Sequence, residues 1–475
     1  MSDPERPRAD RPPTSSGSRP RGTTASMMST ELAIRSRVPG SIAAQVVAFG
    51  DRRAVVTRSD STDRAGALVP ADGQTLAAAV RFALDRSLPF VGYLASSGAA
   101  IDEGVPALAA WGEAARELTA ASGIIPLVFV VTGPAVSGPA LLLGLADVVI
   151  MTDEAYAFVS GPTMVREFTG EMVSKTALGG PGVHARSTGA AHLLASDLDS
   201  ADAMVAELLS LLPTCNDDEP PRSLVDDPPD RPTPEAGDVL PATTSGSYDV
   251  RAVLSAVVDH GELLELRGGW AHNLVTALAT IDGRPVGIVA NQPQSIAGTL
   301  DIPASQKGAR FVAFCDAFNL PIITFVDTSG FYPGKDLEWR GMIRHGAQLA
   351  FAYARATVPR ICVTLRKSYG GAYIVMDSKR MGNDLHLAWP TAEIAVMGAN
   401  QAASILMRRA SDDERAQFVV DYEEHHLNPF IAASRGTVDR VIEPSETRAE
   451  IAAALAVLSS KRERLVGRRH DNTPL

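Results

Sequence analysis

Cysteine is scarce in this sequence of 475 residues, which has only Cys215, Cys315 and Cys362, far apart from one another. Their number and spacing exclude a disulfide framework and a CxxC zinc site, and they fit a reducing cytoplasm. The sequence also lacks any apolar run close to the ~18 to 20 residues that a membrane-spanning helix requires. The net charge of −11 leaves no surplus of Lys and Arg for a polyanion. We therefore expect a cytoplasmic protein that binds neither a membrane nor a nucleic acid.

The length and two polar segments predict the domain organisation. The length favours two or three domains. Residues 1–28 are rich in Pro, Arg, Ser and Asp and have no apolar signal region, so they predict a disordered N-terminal tail. Residues 214–247 are dense in Pro and Asp and predict a linker that buries little. We expect an N-terminal domain over residues 29–213 and a C-terminal domain over residues 248–475.

The two halves repeat the same landmarks at an offset of 232 or 233 residues. Each half has a Pro before an apolar run, a Ser-Gly pair after it, a Pro before a second apolar run, and a Gly in the following turn. The landmarks are Pro89, Ser97-Gly98, Pro126 and Gly138 in the first half, and Pro321, Ser329-Gly330, Pro359 and Gly371 in the second. A constant offset over this length indicates an internal duplication.

Between the two apolar runs, each half has apolar residues at intervals of three and four, which is typical of an amphipathic helix. These residues are Val105, Leu108, Trp111, Ala115 and Leu118, and Trp339, Ile343, Gly346, Ala350 and Tyr353. Each half thus predicts a strand, a helix, a second strand, a Gly turn and a second helix. This pattern favours parallel strands joined by right-handed crossovers.

The turns at Gly138 and Gly371 are expected at strand ends that open helices. The first N–H groups of a helix have no partner within it, and glycine lets a ligand approach the backbone. Such a turn can donate to an oxygen that becomes charged during a reaction. The duplicated turn therefore predicts a reaction with two developing oxyanions.

Longer motifs connect the sequence to a known family. The second half contains GRPVGIVANQP, LDIPASQKGARFVAFCDAFNLPI, VDTSGFYPGKDLEWRGMIRHGAQL, SYGGAYIVM, AWPTAEIAVMGANQAA and NPFIAASRGTVDRVIEPSETR, and the first half contains SGPTMVREFTGEMVS and LGGPGVHARSTGAAHLLA. The chain resembles the carboxyltransferase (β) subunits of biotin-dependent acyl-CoA carboxylases of the acetyl-CoA and propionyl-CoA carboxylase type, over nearly all of residues 43–448. The resemblance implies an α/β fold of two tandem crotonase-like (ClpP/crotonase) domains of repeated ββα units.

The resemblance also implies the reaction, which moves CO2 from N1′-carboxybiotin to the α-carbon of an acyl-CoA without a metal. The biotin ureido oxygen and the enolate oxygen then both need donors, while the cofactor takes the α-proton. By motif match, the N–H groups of Gly371 and Ala372 correspond to the biotin side. Those of Ser137 and Gly138 correspond to the acyl-CoA side.

Further site residues and the partners follow from the same resemblance. The residues expected to bind the cofactor are Gly370, Tyr373, Ser329, Gly330 and Phe331, and those expected to bind the substrate are Ile374, Ser97 and Gly98. No biotinyl-lysine segment such as AMKM is present, so carboxybiotin is expected on a separate α subunit that contains the biotin carboxylase and the biotin carrier. The family implies a homo-oligomer, a hexamer with active sites built across dimers, or a hetero-oligomer with another β subunit.

The first half departs most from the family pattern. It has Ser137 in place of Gly, ASSGAA at residues 95–100 in place of DSGGAR, and RSDSTDRAGALV at residues 58–69 in place of a Gly-rich segment. In the second half, Ser329 replaces the usual Pro. These changes leave three possibilities open: an unusual acyl substrate, a non-catalytic supporting β-type subunit, or a biotin-independent acyl-CoA decarboxylase.

Other residue patterns suggest alternative functions. Ser97 and Ser137 lie near glycines but not in GxSxG, which argues against a serine peptidase. Glu103 and Glu113 could serve a hydratase or isomerase but fit an exposed helix equally well. The remaining candidates are expected to pack, bind phosphates or face solvent: His345 and Lys367 near the landmarks, Lys307 and Arg310 on a solvated helix face, and His425-His426, whose spacing is not HExxH.

Overall fold

The computed structural model describes residues 40–62, 64–243, 246–461, 463–467 and 469–474, so the predicted N-terminal tail of residues 1–28 lies outside the described part. The described residues form two mixed sheets, one from each half of the chain. Each sheet starts with antiparallel strands and continues with parallel ones. The two α/β units predicted from the repeat are therefore present in tandem.

The first sheet has the strand order β1-β2-β3-β4-β5-β7, and β6 pairs with β4. Its strands are β1 (Ile42–Phe49), β2 (Arg52–Ser59), β3 (Phe90–Ser96), β4 (Leu127–Val136), β5 (Val148–Thr152), β6 (Tyr156–Phe158) and β7 (Leu193–Ala195). Its helices, with α7 the last before the second half, are α1 (Pro70–Asp85), α2 (Val105–Ala121), α3 (Gly138–Leu142), α4 (Pro162–Thr169), α5 (Lys175–Gly179), α6 (Pro181–Val183) and α7 (Leu198–Leu211).

The second sheet has the order β15-β13-β12-β11-β10-β9-β8, and β14 pairs with β12. Its strands are β8 (Leu264–Glu265), β9 (Leu274–Ile281), β10 (Arg284–Asn291), β11 (Ile322–Thr328), β12 (Arg360–Tyr369), β13 (Leu385–Ala388), β14 (Glu393–Ala395) and β15 (Arg440–Val441). The remaining helices are α8 (Pro234–Asp238), α9 (Val250–Val257), α10 (Ile302–Ala317), α11 (Lys335–Trp339), α12 (Met342–Arg355), α13 (Gly370–Val375), α14 (Ala399–Leu406), α15 (Asp412–His426), α16 (Pro429–Ser434) and α17 (Thr447–Leu458).

The duplication extends to details of strand register. Between β3 and β4 the register shifts after Leu94, and between β11 and β12 it shifts after Val326, at the equivalent position. Every residue of β3 and of β11 is buried, as expected for central strands covered on both faces. The predicted internal duplication is therefore confirmed at the level of individual residue pairs.

The predicted apolar helix stripes are partly wrong. In α2 the buried face contains Ala107, Ala110 and Ala114, whereas Val105 and Leu108 are exposed. The reason is close packing on α1, because a Cβ added at Gly73 would lie 2.5 Å from the Ala110 backbone, so only small side chains fit between the two helices.

The second predicted apolar stripe is also only partly correct. Trp339 ends the short helix α11, before α12 begins, and Ile343 of α12 is 83% exposed. Gly346 and Tyr353 of the predicted stripe are buried, and Met342 and Leu349 complete the buried face of α12. Large apolar side chains are thus left on the surface of both halves.

Most described residues of the segment 214–247 are exposed or half-buried, and four are buried, namely Cys215, Asp227, Thr233 and Ala236. Thr233 and Ala236 are completely buried, and the Thr233 hydroxyl donates to the Pro444 carbonyl at 3.1 Å. The Ser223 N–H donates to the Gly283 carbonyl at 2.8 Å. The segment therefore packs on the second half, because its polar groups find backbone and side-chain partners there. The domain limits remain a prediction.

The buried side chain of Arg448 joins this segment to the second half. Its guanidinium donates to the Pro228 carbonyl at 2.9 Å, to the Val257 carbonyl at 2.8 Å and to the Asp259 carboxylate at 2.6 Å. A charge that is fully removed from water must be paired and hydrogen-bonded, and these contacts meet that requirement.

The prediction that Lys307 and Arg310 face solvent on a helix is wrong for Lys307 and right for Arg310. Lys307 is 1% exposed, and its Nζ donates to the carbonyls of Arg267, Trp270 and Leu274 at 3.0, 2.9 and 2.7 Å. Burial lowers the pKa of Lys307 to about 7. Arg310 remains partly exposed, but it donates to the Ala146 carbonyl of the first half at 3.0 Å. Both side chains therefore act in contacts within and between the halves.

The hydrophobic core also continues between the halves. Phe49 and Leu208 of the first half belong to the same buried cluster as Phe314 of the second. No helix in the described part of the chain is long and apolar enough to cross a membrane.

Replacement of Arg448 should destabilise the chain strongly. Arg448→Met removes the donor to the carbonyls of Asp227, Pro228 and Val257 and the counter-charge of the Asp259 carboxylate, and we expect a loss of about 3–5 kcal/mol in the free energy of unfolding. Thermal and denaturant unfolding of the full chain would measure it. Arg440→Met is the matched control, because Arg440 is exposed and pairs with Glu450 at the surface, where a pair contributes about 0–1 kcal/mol. Equal effects of the two replacements would contradict this assignment.

Candidate active site

The turn that opens α13 lies directly after β12. Gly370 has φ +58°, a conformation that favours glycine, and it reverses the chain between the strand and the helix. Gly371 and Ala372 follow as the second and third residues of α13. Their N–H groups have no partner within the helix, because the first four N–H groups of any helix lack one. The turn thus presents two adjacent backbone donors.

Phe331 lies against this turn. A Cβ added at Gly371 would be 3.3 Å from the Phe331 ring, and one added at Gly346 of α12 would be 3.2 Å from it. The ring is therefore enclosed between two glycines, and Gly371 itself is exposed. The structure brings the predicted residues Phe331, Gly370, Gly371 and Ala372 together, with Gly371 exposed and Ala372 fully buried. An acceptor such as a ureido oxygen fits these donors, and a side chain at Gly371 would crowd it.

The Ser-Gly turn after β11 is held by its own strand. The Gly330 N–H donates to the Thr328 hydroxyl, which in turn lies 3.3 Å from the Gly330 carbonyl. Gly330 has φ +136°, and its carbonyl accepts from the Leu300 N–H at 3.0 Å. Ser329 is exposed at the tip of the turn. These contacts fix the start of the segment that carries Phe331.

Tyr373 and Ile374 face different ways on α13. The Tyr373 hydroxyl is buried and accepts no hydrogen bond from any described residue, and burial raises its pKa. Ile374 is 49% exposed. Tyr373 therefore packs into the protein, whereas Ile374 offers an apolar side chain on the accessible face. Their roles in binding remain predictions.

The first half contains an equivalent pair of turns. Gly98 has φ +117°, its N–H donates to the Ser96 hydroxyl at 3.3 Å, and its carbonyl accepts from the Leu68 N–H at 2.7 Å. A Cβ added at Gly98 would lie 3.9 Å from the Ser137 Cβ. The predicted residues Ser97, Gly98, Ser137 and Gly138 are therefore neighbours.

Ser137 occupies the backbone conformation that glycine has in the second half. Its φ of +62° matches the +58° of Gly370, although Ser137 carries a Cβ. Such a conformation costs about 1–3 kcal/mol for a residue other than glycine. The turn is held nonetheless, because the Ser137 N–H donates to the Phe158 carbonyl of β6 at 3.0 Å.

This hydrogen bond changes the expected donor pair. The N–H of Ser137 is already used within the sheet, so it is not free for a substrate oxygen. The residue that corresponds to Ala372 in the repeat is Pro139, which has no N–H. Gly138 thus supplies the one unengaged amide at the start of α3. A Cβ added to it would lie 2.9 Å from the Trp111 ring, so the amide is closely covered on one side.

A buried ion pair supports the turn region of the second half, and the sequence patterns did not predict it. Asp327, at the end of β11, accepts from Arg366 Nε at 3.0 Å, from the Tyr248 hydroxyl at 2.8 Å and from the Lys367 N–H at 3.1 Å. Burial raises the pKa of Asp327, and Arg366 opposes that rise. The ion pair joins β11 to β12 just before their turns.

The first half replaces this ion pair by two small residues. The repeat aligns Asp327 with Ala95 and Arg366 with Gly133, and a Cβ added at Gly133 would lie 3.2 Å from the Ala95 Cβ. The sequence did contain a signal for this ion pair. ASSGAA lacks the Asp that stands at position 327 of the second half, and the repeat places Gly133 where the second half has Arg366. The strand ends that carry the two turns are therefore stabilised by different contacts.

The residues considered for alternative functions do not lie together in an arrangement that would support catalysis or metal binding. Glu113 is exposed and lies 3.4 Å from Arg81, and Glu103 is exposed in a short turn of helix. His345 Nδ1 lies 3.3 Å from Gln306 and 3.2 Å from Gln348. Within the described ranges, no group of three or more His, Cys, Asp or Glu residues could hold a metal ion.

Ser137→Gly should stabilise the chain by removing the strained Cβ. We expect a gain of about 1 kcal/mol or more in the free energy of unfolding, because glycine adopts this conformation without steric cost. Thermal unfolding of the full chain measures the effect. Ser137→Ala is the control, since it removes the hydroxyl but keeps the Cβ and should bring no such gain. A melting temperature of Ser137→Gly at or below that of Ser137→Ala would refute the strain.

Comparisons with known proteins agree with this geometry. The family described as "Carboxyl transferase domain" matches residues 15–473. The propionyl-CoA carboxylase beta chain of Saccharopolyspora erythraea is 44% identical over 444 residues, which cover 89% of this chain and 81% of that protein. The methylmalonyl-CoA carboxyltransferase 12S subunit of Propionibacterium freudenreichii is 43% identical, over 82% of this chain and 76% of that protein.

A third relative and a solved structure extend the comparison. The methylmalonyl-CoA decarboxylase subunit alpha of Veillonella parvula is 42% identical, over 88% of this chain and 82% of that protein. The crystal structure of transcarboxylase 12S, described as a hexamer with methylmalonyl-coenzyme A and methylmalonic acid bound, has a TM-score of 0.90 and 39% identity, and covers 92% of this chain and 85% of that chain. The expected fold of two tandem crotonase-like domains is therefore confirmed.

Proposed function

The chain belongs to the carboxyl transferase domain family, and on that premise we propose that it is the carboxyltransferase subunit of an acyl-CoA carboxylase. It transfers a carboxyl group from carboxybiotin on a separate carrier to the α-carbon of an acyl-CoA. The observation that carries this proposal is the duplicated turn, which places unengaged backbone amides at equivalent strand ends of both halves.

The biotin side is assigned to the turn of the second half. Carboxybiotin, when bound, supplies the CO2 and the base that takes the α-proton of the substrate. The N–H groups of Gly371 and Ala372 donate to the ureido oxygen as its negative charge grows, and Phe331 walls the same turn. Gly370, Ser329 and Gly330 hold the backbone around these residues. Fixed amides are suited to this role because they need no reorganisation during the reaction.

The acyl-CoA side is assigned to the turn of the first half, next to Ser97 and Gly98. The Gly138 N–H donates to the thioester oxygen, which becomes the enolate oxygen when the α-proton leaves. Because the Ser137 N–H is engaged with Phe158 and Pro139 has no N–H, this side has fewer backbone donors than the biotin side. The acyl-CoA side is therefore the more altered of the two.

The acyl preference is assigned in part to Ile374. It is an exposed apolar residue one turn after Gly371, at a position that lines the acyl pocket in the family. An apolar side chain there favours an apolar acyl group over a polar one, because its contact removes apolar surface from water. The identity of the acyl group is left to experiment.

We assign a separate biotin-carrying α subunit and further copies of a β-type chain as partners. Several large apolar side chains are exposed in both halves, namely Ile101, Val105 and Phe168, and Trp339 and Ile343. Exposed apolar area of this kind marks surfaces that are covered by another chain. Oligomerisation with itself, or with another β subunit, would cover them.

Two glycine replacements test the two turns separately. Gly371→Val brings a branched side chain against the Phe331 ring, and Gly138→Val brings one against Trp111, so each should lower carboxyl transfer by roughly 100-fold or more while assembly persists. The measurement is carboxylation of an acyl-CoA in the presence of a biotinylated carrier, together with the oligomeric size. Gly112→Ala is the control, because no atom lies within 4 Å of a Cβ added there. Full activity of Gly138→Val would favour a supporting subunit over a catalytic one.

A panel of thioesters tests the reaction itself. The full chain is assayed for carboxylation and decarboxylation of acetyl-, propionyl-, malonyl-, methylmalonyl- and longer acyl-CoA, with and without a biotinylated carrier. We expect carrier-dependent turnover on an apolar acyl-CoA, with Ile374→Asp shifting the preference among acyl groups. Similarity to the Veillonella parvula subunit makes decarboxylation the second candidate. Decarboxylation without any biotin would replace our proposal by that reaction.

A further inference from the structure

A cavity of about 600 Å³ lies between the two halves, beside α3 but outside the two turns. Leu143, Met151 and Phe158 of the first half and Trp270 of the second give it largely apolar walls. Arg267 and Arg310 reach the same cavity from the second half. Small-molecule sites have this composition, an apolar cleft with a few placed polar groups.

Arg267 is held rigidly at the edge of the cavity. Its φ is +57°, an uncommon conformation for a residue other than glycine. Its N–H donates to the His192 carbonyl at 2.9 Å, and its carbonyl accepts from Lys307 Nζ at 3.0 Å. Gly189 packs against the same turn, because a Cβ added there would lie 2.3 Å from the Trp270 ring. Contacts from both halves thus fix the backbone of Arg267.

The guanidinium of Arg267 has little to balance its charge. Its Nε donates to the Gly189 carbonyl at 2.7 Å, and no other described residue accepts a hydrogen bond from the group. In the described part of the chain, no carboxylate lies within ion-pair distance of it. Burial, together with the smaller effect of the neighbouring Arg310, lowers the pKa of Arg267 to about 10.

Arg310 adds a second positive charge. It donates to the Ala146 carbonyl at 3.0 Å and lies 3.6 Å from the Asp147 carboxylate. Asp147 is buried, and its other oxygen accepts from the Leu127 N–H at 2.9 Å. Asp147 is thus paired with Arg310 alone, and Arg267 has no paired carboxylate among the described residues. A cation removed from water without a counter-charge is unfavourable, so an anion in the cavity would relieve the imbalance.

We propose that this cavity binds a molecule with an anionic head, a carboxylate or a phosphate, attached to an apolar body. The head pairs with the Nη atoms of Arg267, which form a fork that suits two anionic oxygens. The body lies against Leu143, Met151 and Phe158. Such a molecule is either the far end of an acyl group that itself ends in an anion, or a separate metabolite. Binding there is measured without turnover and does not depend on the proposed reaction.

Octanoate is the probe, because it joins a carboxylate to an apolar chain, and 1-octanol is its neutral match. Isothermal titration of the full-length protein should show saturable octanoate binding. Arg267→Gln should weaken octanoate roughly tenfold to a hundredfold and leave octanol unchanged, because it removes a charged donor alone. Arg116→Gln is the control, since Arg116 is exposed and does not line the cavity.

A second variant fills the cavity without touching Arg267. Gly144 lines the cavity, and no atom lies within 4 Å of a Cβ added to it, so Gly144→Leu should fold and weaken both octanoate and octanol. The CoA monothioester of octanedioate, whose acyl group ends in a carboxylate, identifies the acyl group as the natural source if it displaces octanoate where CoA alone does not. Displacement by neither identifies a separate metabolite. Absence of saturable octanoate binding, or binding unaffected by Arg267→Gln and Gly144→Leu, would overturn the proposal.

Discussion

The parallel pairing of β3 with β4 and of β11 with β12 is the constraint on which the rest of the structure depends. Parallel strands end at the same edge of a sheet, so the turns that follow them must lie side by side. Each pair shifts register at the same place, and each second strand then turns into a helix through a residue with positive φ. The backbone amides at Gly138 and Gly371 owe their positions to this pairing. The proposed site is therefore made by main chain, and side chains decide how firmly it is held.

The two halves form the same turn but stabilise it with different residues. In the second half, the buried Asp327 and Arg366 fasten the strand ends, and Gly370 takes the positive φ without steric cost. In the first half, Ala95 and Gly133 pack in place of that ion pair, and Ser137 takes the positive φ with a Cβ present. One turn keeps two adjacent free amides, whereas the other keeps one. The duplicated fold has thus given two turns that differ in the number of unengaged backbone amides.

Three cationic side chains lie at the junction between the two halves. Lys307 binds three carbonyls of the loop before β9, that loop carries Arg267, and Arg267 and Arg310 both donate to carbonyls of the first half. All three cations donate to backbone carbonyls, and of the three only Arg310 also lies within ion-pair distance of a carboxylate, that of Asp147. The cavity lies at that junction because the two units meet there through loops and helix ends, which leave space that two sheets packed face to face would fill. The joint between duplicated halves is thus available for a function that neither half has alone.

The sequence by itself determined the duplication, the α/β class, the family and the glycine turns, because constant offsets and Gly-specific conformations leave direct traces in the residue order. The predictions from sequence were wrong where the outcome depended on which residues from elsewhere in the chain pack against a segment. Ala107 and Ala110 rather than Val105 and Leu108 face the core, since only the close approach of α1 selects small residues. The Pro- and Asp-rich segment packs because Arg448, more than 200 residues away in sequence, supplies its partner. The engagement of the Ser137 N–H by Phe158 and the burial of Lys307 are likewise contacts between distant segments, which local pattern does not encode and only the tertiary structure decides.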